Sequence, residues 1–238
     1  MAATLLALRD QIIIDAEVSG HPLFTTLRLN RMINIAQRYV QTNLNGLGMK
    51  KWETSDLLTL GSAGYFGGYG VLKSNLSTDC PNMLESPSSI LFIETSGNAD
   101  IDAAPGSANG LAFEVDAKNF QEQLANTYLA PTLLKPAFMR LANQIWIAPT
   151  TIVTARAYYY KAVTDLSSDS VATEIPIEFE EFIIKKVVLD IDDILGKLQD
   201  KELANRQLEK DIQATYEKFL GKQAELQRIR INDKAKLQ

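Results

Sequence analysis

The chain has 238 residues, of which 46% are hydrophobic and 22% charged, and its net charge is −5. This composition is typical of a globular protein and excludes wholesale disorder. The acidic balance argues against wrapping of nucleic acid, which needs a surplus of lysine and arginine, although it permits a local basic face.

The counts of reactive residue types exclude several kinds of site. Cys80 is the only cysteine and His21 the only histidine. One chain therefore cannot form an internal disulfide or a Cys/His zinc site, and a nucleophilic triad could use only His21. No stretch approaches the roughly 20 apolar residues of a membrane span, and the N-terminal stretch lacks the basic region of a signal peptide. We expect no cofactor, no metal site and no membrane partner.

Hydrophobic residues at helical spacing predict a first helix over residues 4–17 and a second over residues 25–44. The break between them contains Pro22, which disfavours helical geometry at the preceding residue. The apolar stripe of the second helix comprises Leu29, Met32, Ile33, Ala36 and Val40. Its opposite face carries Asn30, Arg31, Asn34, Gln37 and Arg38. Because the break is short, we expect the two helices to be neighbours.

The middle of the chain loses helical periodicity and gains glycine, serine, asparagine and proline. We predict a short helix over 117–127 and loops over 61–70 and 95–110. β-branched and aromatic runs predict five strands, at 56–60, 89–94, 111–115, 144–149 and 151–160. The last two strands are expected to form a hairpin across Ala148-Pro149-Thr150.

Two further helices are predicted after Pro176, which suits a helix entry. The apolar line of the first comprises Phe179, Ile183, Val187, Ile191, Ile194 and Leu198. The second is a long helix over about 201–231 with a narrower stripe, typical of a helix that packs along one partner.

This order of elements favours an α+β fold that is mainly α. We expect a helical bundle from the N- and C-terminal helices, with a central region of short strands and long loops. The predicted domains are a helical core (1–48 with 174–200), a β-rich insertion (49–173) and a projecting C-terminal helix and tail (201–238).

A glycine run before Lys73 invites comparison with a phosphate-binding loop. Gly67, Lys73 and Ser74 stand at the required spacing, but Leu72 occupies the position of the second glycine. A side chain there obstructs the close approach of backbone to phosphate. A flexible or inter-subunit loop is the favoured interpretation.

Other candidate sites are equally incomplete. Asp190, Asp192 and Asp193 resemble a metal-ligand cluster, but the glycine-bearing loop and distal glutamate of a calcium loop are missing, which favours a solvated helix face. For His21 we favour a loop or capping role, and for Cys80 a semi-buried structural role. We therefore predict that the chain is not an enzyme, while a hydrolase that uses the acidic helix stays open as an alternative.

The C-terminal helix offers the most specific functional prediction. Its thin stripe and basic residues favour docking onto another subunit over folding back on its own domain. The predicted interaction residues are Leu208, Ile212, Tyr216, Phe219, Leu226, Arg228, Ile229 and Arg230.

Four stretches, in this order and spacing, resemble a known family. They are Leu-Arg-Leu-Asn-Arg-Met-Ile-Asn-Ile-Ala-Gln-Arg at 27–38, Ile-Trp-Ile-Ala-Pro at 145–149, Tyr-Tyr-Tyr-Lys-Ala-Val-Thr-Asp-Leu at 158–166, and Ile-Pro-Ile-Glu-Phe-Glu-Glu-Phe-Ile at 175–183. The chain resembles the head-to-tail adaptor, or connector ring, proteins of tailed bacteriophages. Its middle region, 53–110, is longer and richer in glycine than the compact pattern of that family.

The resemblance implies a structural protein of the virion neck, at the head–tail junction, that assembles in the host cytoplasm. Such proteins form rings, usually of 12 copies, beneath the portal. The implied partners are further copies, the portal protein, the next tail or ring protein, and DNA that passes without sequence-specific binding. Another virion ring or a capsid-associated protein is the alternative within the same class.

Overall fold

A computed structural model describes residues 2–84, 89–102 and 109–235; the side chains of residues 62, 63, 109 and 225–235 are outside that description. The chain forms two compact units. The helical unit comprises Met1–Lys50 and Val163–Gln238, and the sheet unit comprises Lys51–Ala162.

The described residues contain six α-helices and eight strands. The helices are α1 (Leu5–Asp15), α2 (Thr26–Gly46), α3 (Leu76–Asp79), α4 (Ala117–Ala125), α5 (Glu180–Ile194) and α6 (Lys201–Ala235). The strands are β1 (Glu53–Leu58), β2 (Gly61–Phe66), β3 (Tyr69–Asn75), β4 (Ile90–Ser96), β5 (Asn109–Glu114), β6 (Ala137–Leu141), β7 (Gln144–Ala148) and β8 (Thr154–Tyr160). No helix in the described ranges is long and apolar enough to cross a membrane.

The helices begin where local capping chemistry allows. The side chain of Thr4 accepts a hydrogen bond from the third residue along the chain and caps α1, and Thr25 caps α2 in the same way. Glu180 and Glu181 lie in the first turn of α5, where the helix dipole favours negative charge. The predictions of the two N-terminal helices and of a helix after Pro176 are confirmed.

Three amide side chains on α2, which we call the amide ladder, hold the chain where it returns from the sheet unit. Asn34, Gln37 and Gln41 all contact the backbone of residues 163–166. Gln41 accepts an N–H and Gln37 donates to a carbonyl, each at 3.0 Å. Asn34 bonds both the N–H and the carbonyl of Leu166, at 2.9 and 3.4 Å. The amide side chains on one side of α2 therefore pair with backbone N–H and C=O groups of an extended segment, as a neighbouring β-strand would.

The same stretch, residues 163–175, also runs along the start of the chain, and we call it the return segment. The N–H of Leu5 donates to the carbonyl of Val171 at 3.0 Å. The guanidinium of Arg9 donates both of its terminal nitrogens to Asp169, at 2.9 and 3.1 Å. The return segment is thus fixed by α1 and α2 before the chain enters α5.

The sheet unit contains an eight-stranded sheet within the described residues, in the order β1-β8-β4-β5-β6-β7-β3-β2. Every described pairing is antiparallel except that of β5 with β6. β1 and β2 stand at opposite ends of this order, yet only Thr59 and Leu60 separate them in sequence. Three peptide steps span roughly 10 Å, so the sheet must curl until its two edges approach each other.

Both faces of the curled sheet pack against apolar side chains, as alternation along β7 illustrates. Ile145 and Ile147 join one buried cluster, whereas Trp146 and Ala148 join the other. Phe120 of α4 belongs to the second cluster, so this helix covers that face of the sheet. Burial on both faces fixes the register, because a slip of one residue would exchange the two clusters.

The expected fold class was wrong. The chain is not a mainly helical bundle, because 25% of it is strand and 41% helix, and the strands form a curled mixed sheet. β2, β3 and β6 lie in segments that were not predicted as strands. Glycine and serine in β2 and β3 hide the apolar alternation that identifies a strand. The two hairpins, β2–β3 and β6–β7, join the sheet through the pairing of β3 with β7 and of β5 with β6, which local sequence does not encode.

The expected hairpin between the last two strands was also wrong. Both edges of β7 are occupied, by β3 and by β6. β8 therefore pairs with β1 and β4 in another part of the same sheet. The predicted loop over 95–110 is partly strand, since β5 begins at Asn109; its residues 103–108 lie outside the described ranges.

We predict that Gln37→Leu destabilises the helical unit by about 1–3 kcal/mol. The substitution leaves the Thr164 carbonyl and the Thr173 hydroxyl, which bond Gln37 at 3.0 and 3.2 Å, without these partners. Thr164 is exposed, so the main loss comes from the buried Thr173 hydroxyl, since an unsatisfied buried group costs about 1–3 kcal/mol. Urea unfolding followed by far-UV circular dichroism measures the loss. The matched control is Gln213→Leu on the exposed side of α6, expected to stay within about 0.5 kcal/mol; equal effects would contradict the ladder.

A second prediction concerns the turn between β2 and β3. Gly67 and Gly68 have φ angles of +59° and +91°. Gly68→Val should destabilise the sheet unit by about 1–2 kcal/mol, because valine is strained at a positive φ angle. An added Cβ would meet no described atom within 4 Å, so backbone strain is the only cost expected. Gly67→Asn should be tolerated, since asparagine accepts this conformation. Both tryptophans lie in the sheet unit, so tryptophan fluorescence during urea unfolding reports it; equal stability of the two variants would refute the turn assignment.

Candidate interaction surface

A buried lysine connects three helices of the helical unit. Lys186 of α5 donates to Asp190 at 2.8 Å and to Asn205 of α6 at 3.1 Å, and its Nζ lies 5.1 Å from the ring centroid of Tyr39 of α2. The hydroxyl of Tyr39 donates to Glu209 of α6 at 3.1 Å. Burial, reinforced by Glu209, raises the pKa of Tyr39 to about 12, so this hydroxyl remains a donor at neutral pH. The start of α6 is therefore anchored at a defined position.

The first half of α6 packs on its own unit through most of the predicted interaction stripe. Leu208, Ile212 and Tyr216 are buried. Phe219 is half-buried, and its ring stands edge-on to Phe179 with the centroids 5.8 Å apart. These side chains are covered by the chain's own residues, and their contact with a partner stays a prediction.

Beyond Phe219 the surroundings of α6 change. Residues 220–224 are exposed in succession, and Leu220 retains 48% of its accessible surface. Five residues exceed one helical turn, so no side of the helix is covered there. The helix continues to Ala235. We call residues 220–235 the projecting half of α6. It also carries the other predicted interaction residues, whose side chains are outside the described part: Leu226, Arg228, Ile229 and Arg230.

A groove of about 380 Å³ lies between α5 and α6, near the end of α1, and we call it the α5–α6 groove. Its lining includes the apolar side chains of Ile184, Val188, Leu189 and Leu208, and the carboxylates of Asp15 and Asp211. Sequence reasoning missed it, although a signal was present. Ile184 and Val188 form a second apolar line beside the predicted one, and a helix with two apolar lines has two faces to cover.

The acidic cluster of α5 is neutralised by lysines. Lys201 lies 2.7 Å from Asp193 and 3.8 Å from Asp190, and its hydrogen bond with Asp193 raises the pKa of the lysine. Asp192 faces Lys197 at 3.8 Å. Within the described ranges no group of three or more His, Cys, Asp or Glu residues is arranged to hold a metal ion. The geometry favours charge pairing at a helix surface.

The glycine run is a hairpin, and its interpretation as a loop was wrong. Gly67 and Gly68 connect β2 to β3, which carries Lys73 and Ser74. The Nζ of Lys73 lies 3.9 Å from the ring centroid of Trp146, and the hydroxyl of Ser74 donates to Asp79 at 2.5 Å. The residues at phosphate-loop spacing are thus engaged with the sheet unit itself.

The lone histidine and the lone cysteine have structural surroundings. His21 lies between α1 and α2, where its Nδ1 accepts the N–H of Leu23 at 3.3 Å. Cys80 is buried, and burial, followed by the nearby charges of Asp56 and Asp79, raises the pKa of its thiol to about 12. Among the residues that the structure describes, neither group is brought against another reactive side chain of the kind a nucleophilic site requires.

Comparison with known proteins gives no assignment: no family model and no curated protein matches the chain.

The surroundings of Cys80 lead to a third prediction. The thiolate is the reactive form of cysteine. With a pKa near 12, the fraction of Cys80 present as thiolate at pH 8 is on the order of a thousandfold smaller than that of an ordinary thiol. We expect the native chain to react with a disulfide reagent at least a hundredfold more slowly than the urea-unfolded chain, measured by absorbance. Comparable rates in the two states would contradict the burial of this thiol.

Proposed function

We propose that this protein is a structural component of a phage neck, where copies assemble into a ring that joins the portal to the tail and lets DNA pass. The observation that carries the proposal is the projecting half of α6. It leaves the helical unit as a helix exposed on all sides at 220–224, after a first half that is firmly anchored. The resemblance to head-to-tail adaptors supplies the kind of partner.

The energetics of an isolated helix support a partner for this segment. A helix of sixteen residues is only marginally stable in water when it lacks tertiary contacts, because helical stability in proteins comes mostly from packing. Residues 220–224, where this segment begins, are exposed on all sides. A second chain that covers residues 220–235 would provide that packing. A segment of this kind suits a helix that docks on another protein during assembly.

The distribution of charge along the chain also supports docking of the C-terminal end of α6 on a partner. Residues 218–238 contain six basic and two acidic residues, a net charge of +4, so residues 1–217 carry −9 of the total of −5. The basic residues are Lys218, Lys222, Arg228, Arg230, Lys234 and Lys236. A basic end on an acidic body favours an acidic docking surface and disfavours tight retention of DNA by the body.

Exposed apolar residues on α2 suit contacts between neighbouring copies. Leu27 and Ile35 retain 77% and 55% of their accessible surface. With Arg31 between them at steps of four residues, they lie along one face of the helix. Arginine is enriched among the residues that contribute most to binding at interfaces, and the exposed apolar side chains beside Arg31 add surface that a neighbouring copy can bury.

Deletion of residues 222–238 tests the proposal. The truncated chain should lose co-purification with the portal protein encoded in the same viral genome. Its stability should change by no more than about 0.5 kcal/mol, because residues 220–224 are exposed. Affinity co-purification, with negative-stain imaging of rings, measures binding, and urea unfolding measures stability.

The matched control is Leu203→Glu, an exposed apolar residue at the other end of α6. This variant should bind the portal protein as the parent chain does. Full binding by the truncated chain, or failure of the intact chain to bind the portal protein or form rings with it, would contradict the proposed function.

A further inference from the structure

The α5–α6 groove presents apolar surface next to carboxylates that lack a cation. Asp15 accepts a hydrogen bond from Gln11 at 2.7 Å, and Asp211 accepts one from Gln207 at 2.9 Å. Neither carboxylate forms an ion pair within the described residues, although the three aspartates of α5 are paired with lysines. Lys185 also lines the groove, but its ammonium faces Glu181 at 3.5 Å. The groove therefore matches a ligand that combines apolar and basic side chains.

The C-terminal stretch of the chain itself has this chemistry. Residues 226–237 contain Leu226, Ile229, Ile231 and Leu237, interspersed with the basic residues Arg228, Arg230, Lys234 and Lys236. Two arginines stand between closely spaced aliphatic residues, so one short stretch can supply both components. The apolar part matches the groove's aliphatic lining, and the basic part matches its two free carboxylates.

The stretch cannot reach the groove of its own molecule. Leu208 lines the groove, and α6 continues as one helix from there to Ala235. At 1.5 Å per residue, Leu226 lies about 27 Å along the axis from Leu208. A continuous helix cannot fold back on itself, so as long as α6 is helical to Ala235 the stretch that fills a groove belongs to a different molecule.

We propose that the α5–α6 groove of one copy binds the C-terminal stretch, residues 226–237, of a second copy. The inference rests on the proposed function, and it names one contact by which copies associate. Groove and stretch are different surfaces of the chain, so the contact is head-to-tail. Repeated head-to-tail contacts generate a closed ring when the rotation between copies allows closure.

The test uses the full chain and a fluorescein-labelled peptide of residues 224–238, with binding followed by fluorescence anisotropy. Saturable binding is expected. Asp15→Lys combined with Asp211→Lys should weaken it at least tenfold. A peptide with Arg228→Glu and Arg230→Glu should bind this double variant at least tenfold more tightly than it binds the parent chain.

The control pair is Asp10→Lys with Glu217→Lys, which makes the same charge change at exposed positions outside the groove lining. This pair should alter peptide binding by less than twofold. Absence of saturable binding at millimolar protein, or equal weakening by the two pairs, would overturn the inference. Circular dichroism checks that each variant is folded.

Co-purification with the portal protein separates this inference from the proposed function. If the parent chain binds the portal protein and forms rings while the peptide does not bind the groove, only the groove assignment fails. If the parent chain neither binds the portal protein nor forms rings, the proposed function fails, whatever the peptide does.

Discussion

The hydrogen bonds from the amide ladder to the return segment are the constraint on which the helical unit depends. The chain leaves this unit after Lys50 and returns at Val163. Asn34, Gln37 and Gln41 give the returning backbone the partners that it would otherwise lose on burial. Because these bonds fix where the return segment lies, they also fix where α5 begins, and α5 in turn positions α6.

The contacts that hold the first half of α6 also set the direction in which the rest of the helix extends. Lys186 and Tyr39 fix the first half of α6 through its polar side chains, while Leu208, Ile212 and Tyr216 fix it through burial. The helix then leaves the unit along the axis that this packing sets. In the proposed neck ring, the anchored first half of α6 directs the basic end away from the acidic body, and contact with a partner then stabilises that end as a helix.

The sequence predicts the helices well, because their apolar stripes and caps are local patterns. It does not predict β2 and β3, whose Gly-Ser-Ala-Gly and Tyr-Gly segments lack apolar alternation. β2 pairs with β3, and β3 depends on pairing with the distant β7. The candidate surface divides in the same way. The stripe of α6 is visible in the sequence, but the burial of Gln37 is not, because its partners are 127 and 136 residues away. Likewise, Asp15 and Asp211 meet at one groove only after α1, α5 and α6 have packed.

In the isolated chain residues 220–224 are exposed on all sides, and in the proposed neck ring the helix from 220 to 235 becomes covered on assembly. Hydrogen–deuterium exchange of the backbone amides of residues 220–235, compared between the dilute chain and its complex with the portal protein, tests this most directly. The account predicts fast exchange in the dilute chain and at least a hundredfold slower exchange in the complex, since amides of an unsupported helix open readily. Strong protection already in the dilute chain, or equal exchange in both states, would contradict it.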